Sequence, residues 1–186
     1  MAGESQQDQS YAAKVGSGKT NAINKSQQML ATDNEDVLYI AKTIYGEARG
    51  QNRESKTAVG WVIRNRLKDG RWGSSYRQVV TARLQFTCWS KTTDPNNYRA
   101  IQNPSGAAWD ESLSVAREIY IASEIANTVP QATHYFSPRS QEALHRVRPR
   151  LYPAQPSFMN PPSQPVEVPA PTGVSPRDFL FYRGIR

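Results

Sequence analysis

The chain has 186 residues, 38% of them hydrophobic, with 23 Lys and Arg against 16 Asp and Glu for a net charge of +7. That length fits one domain with tails, and the mean hydropathy of −0.68 predicts that part of the chain forms no core. A single cysteine, Cys88, excludes an intrachain disulfide, and with His134 and His145 as the only histidines the Cys-rich zinc sites are excluded as well.

Residues 1–31 are rich in Gln, Ser, Asn, Ala and Lys without apolar periodicity, and are expected to form an arm or linker. Val15-Gly-Ser-Gly-Lys-Thr20 contains part of a phosphate-binding loop, but Ala13 stands where the pattern needs its first glycine. Residues 32–148 are the expected core domain. Thr32-Asp-Asn-Glu35 has capping-box spacing and predicts a helix from about Glu35 to Glu47, with Val37, Leu38, Ile40, Ala41, Ile44 and Tyr45 on its buried face. Gly46 and Gly50 bracket its end. A second helix is expected from Glu54 to Leu67, with Ala58, Val59, Val62, Ile63 and Leu67 as its stripe, Arg64, Arg66 and Lys68 at its far end and Gly70 as a stop.

Tyr76 to Ala82 reads as a short helix or extended piece, and Leu84 to Trp89 as a short strand or cleft-lining loop. Asp94-Pro-Asn-Asn97 and Asn103-Pro-Ser-Gly106 read as turns. A long helix is expected from Asp110 to Asn127, with Leu113, Ala116, Ile119, Ala122, Ser123 and Ala126 on one face, ended by Pro130. Thr133 to Phe136 predicts a strand closed by Pro138. Residues 149–186 change character: nine prolines fall between Pro149 and Pro176. Such a stretch favours extended backbone wrapping the surface, and Phe179 to Tyr182 is apolar enough to return as an edge strand. The fold class expected is α+β, predominantly helical, with a small β element.

The chemistry centres on Glu47, one carboxyl where an amphipathic helix runs out. A helix C-terminus disfavours negative charge, and Ile44 and Tyr45 are placed to desolvate it. Both effects favour a general acid. A solvated helix-end glutamate is the alternative. Glu54 and Asp94 are candidates for a second carboxylate, although helix capping and a turn bond explain each of them. In a sugar cleft, Phe86 and Trp89 offer aromatic faces and Gln85 an amide; core packing is the alternative for the two aromatics. Strand alternation turns His134 away from Thr133 and Tyr135; Tyr135 is a candidate to bond Glu47 or substrate, and a structural tyrosine and a satisfied histidine are the equal alternatives. Cys88 reads as a small buried hydrophobe. Arg139, Arg146, Arg148 and Arg150 form the densest basic cluster, suited to solvent or to an anionic wall.

Ala41-Lys-Thr-Ile-Tyr-Gly-Glu-Ala-Arg-Gly50, Val62-Ile-Arg-Asn-Arg-Leu67, Gln85-Phe-Thr-Cys-Trp89, Asp94-Pro-Asn96, Ala132-Thr-His-Tyr-Phe136 and Phe181-Tyr-Arg183 together resemble the SleB/CwlJ-type cell-wall hydrolases, in the family's order. The resemblance covers roughly residues 36 to 183. It departs at Asn160-Pro-Pro162, followed here by Ser163 rather than a tryptophan, and at Arg177 to Leu180, where a histidine is usual. It implies a lysozyme-like fold and cleavage of the bond between N-acetylmuramic acid and N-acetylglucosamine in peptidoglycan. The lytic transglycosylase branch is the nearest in pattern, and Glu47 matches its catalytic glutamate. Gln85, Phe86, Trp89, His134 and Tyr135 are the expected substrate-binding residues, with no cofactor and no metal. Peptidoglycan strands are the expected partner, with other phage virion proteins as a second. Nucleic acid is not expected, since no groove-reading motif accompanies the charge. Membrane insertion is not expected either, since no window approaches ~20 apolar residues. The first ten residues lack the apolar stretch of a signal peptide. That fits the expectation, drawn from the resemblance, of a phage or prophage lysin carried in the virion or made in the host cytoplasm and acting on the periplasmic wall. The competing expectation is a virion component with an idle hydrolase fold.

Overall fold

The computed structural model describes residues 34–185. The expected N-terminal arm, the phosphate-loop fragment and the Thr32 capping box lie outside the described residues. Among the described residues, six helices and three short strands follow in order: α1 (Glu35–Ala48), α2 (Arg53–Asp69), α3 (Tyr76–Thr81), α4 (Pro95–Gln102), α5 (Ala107–Ile121), β1 (His134–Phe136), α6 (Pro138–Val147), β2 (Val166–Val168) and β3 (Leu180–Arg183). Single 3-10 turns span Thr87–Trp89, Glu124–Ala126 and Ser157–Met159. The chain is a predominantly helical α+β protein. Among the described residues no helix is long and apolar enough to cross a membrane.

Helix α1 inserts Val37, Ile40, Ala41 and Ile44 between its neighbours, packing most extensively on α5 and also on α2. Leu38, expected inside, is 37% exposed, while Tyr45 turns its ring edge-on to Trp109 at the start of α5. Helix α2 is enclosed on more sides than its stripe predicts: Lys56, Trp61, Asn65 and Arg66 are buried with the valines. It opens on Asn52, whose side chain accepts from the Ser55 N–H at 3.0 Å, and it stops at Gly70, whose φ of 80° places it in the left-handed region. Gly60 lets α1 and α5 approach closely, since a Cβ there would stand 2.9 Å from Ile119 Cγ1.

Four expectations are corrected. The Asp94 turn is a helix N-cap: its carboxylate accepts from the Asn97 N–H, Pro95 takes the first helical position, and α4 follows. The long helix ends at Ile121 rather than Asn127, and its buried face is Ser112, Val115, Ala116 and Ile119. Arg64 of α2 donates to the carbonyl of Ile119, a tertiary partner for the last turn that no local pattern announces. Pro138 not only ends β1 but opens α6, with Ser137 as its cap. The terminal strand is central, not an edge.

That centrality comes from the proline-rich segment, which contributes β2. Strand order is β1-β3-β2, antiparallel throughout, with Tyr135 opposite Phe181 on one side of β3 and Val168 opposite it on the other. Phe181 and Val168 face the core. His134, Phe136, Tyr182 and Phe158 form an aromatic cluster on the opposite face, with Phe136 stacked on Tyr182 at 6.0 Å.

Candidate active site

Glu47 lies in the last turn of α1, and its carboxyl enters an open cleft of about 450 Å³. Gln51, Arg66, Gln85, Asp94, Tyr135 and Gln141 are among the lining side chains. The Cys88 turn and Tyr135 hold the carboxyl. The backbone N–H of Cys88 donates to Oε1 at 3.3 Å, and the Tyr135 hydroxyl donates to Oε2 at 3.0 Å. Burial pushes the Glu47 pKa above the ordinary glutamate value; hydrogen bonds from the Cys88 N–H, the Cys88 thiol and the Tyr135 hydroxyl oppose the rise without cancelling it, and the charge of Asp94 adds to it. The carbonyl end of α1 acts in the same direction. Arg49, two residues on, does not neutralise Glu47: it donates to the side chain of Asn97 and lies over the Tyr45 ring.

Gly46 makes this arrangement possible. It is not an end marker, as its neighbour Gly50 is, but sits buried inside α1. A Cβ at Gly46 would stand 2.5 Å from Cys88 Cβ and 2.8 Å from its Sγ. Only hydrogen at this position lets the Thr87–Trp89 turn close on the helix and bring the Cys88 N–H to Glu47. Cys88 itself is fully buried, and burial raises its thiol pKa far above the ordinary value, which leaves it inert.

The structure gathers three of the six residues expected from the sequence. Glu47, Gln85 and Tyr135 share the cleft. Phe86 lies beneath it, 3% exposed, with its ring 6.5 Å from that of Tyr135. Trp89 turns away: its indole donates to Thr43 Oγ1 at 2.9 Å, its ring packs on Tyr39, and it lines a separate depression with Thr81, Leu84 and Thr93. His134 is on the other face of β1, between Trp72 and Phe158, and is not among the side chains that line this cleft. Burial, then the charges of Arg66 and Arg71, depress its pKa to about 4.

Of the carboxylates weighed as a second catalytic group, Glu54 packs against Gly173 on another surface, beside Thr57 and Pro171. Asp94 does line the cleft, with both oxygens engaged by Asn97, from its N–H at 3.1 Å and its side-chain amide at 2.7 Å. The basic cluster is less free than its density predicts. Arg139 pairs with Asp178 at 3.1 Å and Arg146 with Glu142 at 3.0 Å. Arg66, expected to decorate the far end of α2, is 3% exposed. Its position four residues after Val62 and seven after Val59 sets it on the buried face, and that spacing was the available signal. Gln51 and Gln141 left no such trace in the sequence.

The family model for cell wall hydrolases matches residues 50–154, more than half of the chain. The chain belongs to the cell wall hydrolase family. The matched span contains Arg66, Gln85, Cys88, Asp94 and Tyr135, and Glu47 stands just ahead of it. The spore cortex-lytic enzyme of Bacillus subtilis (strain 168) is 39% identical over 54 residues, 29% of this chain. The match spans only 18% of that relative's length. No solved structure matches the chain. The SleB/CwlJ-type resemblance in the sequence and the family match therefore agree.

Proposed function

We propose that this cell wall hydrolase cleaves the glycan strands of peptidoglycan at the β-1,4 bond between N-acetylmuramic acid and N-acetylglucosamine, as a lytic transglycosylase with Glu47 as its single acid–base group. The observation that carries the proposal is the Glu47 carboxyl, held by the Cys88 turn and Tyr135 in a polar cleft, with its pKa raised by burial. Family membership and the spore cortex-lytic relative support the wall as substrate.

The carboxyl gives its proton to the glycosidic oxygen as the bond from muramyl C1 to that oxygen breaks. The carboxylate then takes the proton of the muramyl 6-hydroxyl as that oxygen bonds to C1. The proton is returned, no water is consumed, and the products are a free 4-hydroxyl and a 1,6-anhydro ring. One carboxyl suffices because the substrate supplies the nucleophile, whereas hydrolysis commonly uses two. The cleft amides of Gln51, Gln85 and Gln141 suit hydroxyl and N-acetyl groups.

Asp94 favours a second reading, since it lines the same cleft and its charge raises the Glu47 pKa. As a base for water it would make the enzyme a muramidase. Its two bonds to Asn97 favour the capping role. Mass analysis of muropeptides from digested sacculi separates the readings: anhydro ends are expected, reducing ends would move the chemistry to Asp94, and intact sacculi would overturn the enzyme. Glu47→Gln keeps the shape and removes the titrating proton, and is expected to lose at least ~10²-fold in activity. The wall substrate follows from the family; the phage setting and virion partner expected from the sequence draw no support from it.

A further inference from the structure

We propose that Arg66 is the positioning residue of this site, a buried guanidinium that grips both chain segments delivering donors to Glu47 and places its charge beside the carboxyl as it ionises. This rests on the acid–base role proposed for Glu47. The geometry is two-armed. Arg66 Nε donates to the carbonyl of Thr133 at 2.6 Å, two residues before Tyr135, whose hydroxyl bonds Glu47 Oε2. Arg66 Nη1 donates to the carbonyl of Gln85 at 3.4 Å, three residues before Cys88, whose N–H bonds Glu47 Oε1. One side chain on α2 thus holds the approach to each of the two hydrogen bonds that orient the acid.

The guanidinium is also clamped between ring faces, with its carbon 4.5 Å from the Phe86 centroid and 5.1 Å from that of Trp72. Neighbouring Asn65 secures the same stretch by donating to the carbonyls of Val129 and Ala132. A helix-end arginine whose only task was solubility would not be enclosed in this way.

The charge has its own effect. Burial lowers the Arg66 pKa to about 10, and the charges of Tyr135 and Glu47 counter that fall. Arg66 in turn draws down the pKa of Tyr135, the hydroxyl that bonds Glu47, and lines the same cleft as the carboxyl. Glu47 is faced by the Cys88 turn and Tyr135 as donors, by the Asp94 carboxylate and by the Arg66 cation. Arg66 is the cation in that set. In this proposal its charge favours the carboxylate form of Glu47.

The experiment compares the full chain with Arg66→Met and Arg66→Lys, each first checked for native circular dichroism. Glu47 is titrated by carbon NMR of its carboxyl without substrate, assigned by its loss in Glu47→Gln, and kcat and KM on sacculi are measured across pH. Arg66→Met is expected to raise the Glu47 midpoint by at least about one unit and to shift the basic limb of activity upward with it. Arg66→Lys keeps the charge but not the fork. It is expected to leave the midpoint near wild type while kcat falls about tenfold at little-changed KM, because the donors are misplaced.

A folded Arg66→Met with an unmoved Glu47 midpoint overturns the electrostatic part, and a folded Arg66→Lys with wild-type kcat overturns the two-armed grip. If Arg66→Met does not fold, Arg66→Lys decides. If the wild-type chain leaves sacculi intact, the proposed function fails, while the carboxyl titration and the Tyr135 hydroxyl resonance in the same variants still decide the role of Arg66.

Discussion

Two partly buried titratable side chains on opposite sides of the sheet respond to pH in opposite ways. Glu47 holds its proton more tightly folded than unfolded, because its carboxyl is desolvated. As pH rises past the unfolded value of 4.5, the unfolded chain releases that proton first, so folding loses stability across the window up to the raised folded value. Glu47→Gln is therefore expected to raise Tm at neutral pH, with the gain vanishing below pH 4.5; thermal unfolding at the two pH values checks it. His134 has a folded pKa of about 4 against an ordinary 6.5. Below 6.5 the unfolded histidine takes up a proton that the folded one refuses, so stability falls as pH drops toward about 4. His134→Gln is expected to flatten that slope in denaturant melts without abolishing activity, because the ring lies outside the cleft.

At the scale of elements, the contact between α1 and the Thr87–Trp89 turn decides the site. The turn bonds Glu47 through a backbone N–H, so its distance from the helix is what matters, and Gly46 sets that distance. Gly46→Ala places a methyl 2.5 Å from Cys88 Cβ, a separation that requires the turn to move. We expect a stability loss of about 1–3 kcal/mol from overpacking and an activity loss larger than that stability change accounts for, read by urea melts and sacculus digestion in parallel. A Gly46→Ala protein with wild-type activity would show that the Cys88 bond is dispensable. The Tyr-Gly-Glu motif thus has a steric reason as well as a chemical one. The sequence marked Gly46 as significant but assigned it to the helix end, because the clash is with a residue 42 positions away.

At the scale of the molecule, the C-terminal segment completes the site without lining much of it. It provides β2 and β3, and β3 carries Phe181 opposite Tyr135. Phe181 is fully buried and lies 6.2 Å from the Tyr135 ring, centroid to centroid. Phe181→Ala is expected to cost about 3–5 kcal/mol, measured by chemical denaturation, and to lower kcat even where the protein remains folded, because Tyr135 loses its backing. Activity preserved in a folded Phe181→Ala chain would separate the sheet from the catalytic geometry.

The helices α1 and α2 were legible in the sequence to within two residues at each end, because caps, glycine stops and a 3.6-residue apolar repeat are local signals. The acid at the end of α1 was legible for the same reason, together with Tyr135 through strand alternation and Gln85 through its place in a short polar-aromatic block. Helix α4 was hidden because Asp-Pro opens a turn and a helix alike, and α6 because a proline after a strand reads as a stop. Trp89 and His134 were placed in the cleft by their chemistry, yet the fold gave the indole to Thr43 and the imidazole to the outer face of the sheet. The central position of β3 depended on pairing with β2, which lies in a stretch whose prolines argue against any strand. By itself, then, the sequence determined α1, α2 and where the carboxyl stands. Tertiary structure alone decided what surrounds that carboxyl, because its partners come from α2, the Cys88 turn and β1, and burial, close approach and charge are properties of chain segments far apart in sequence.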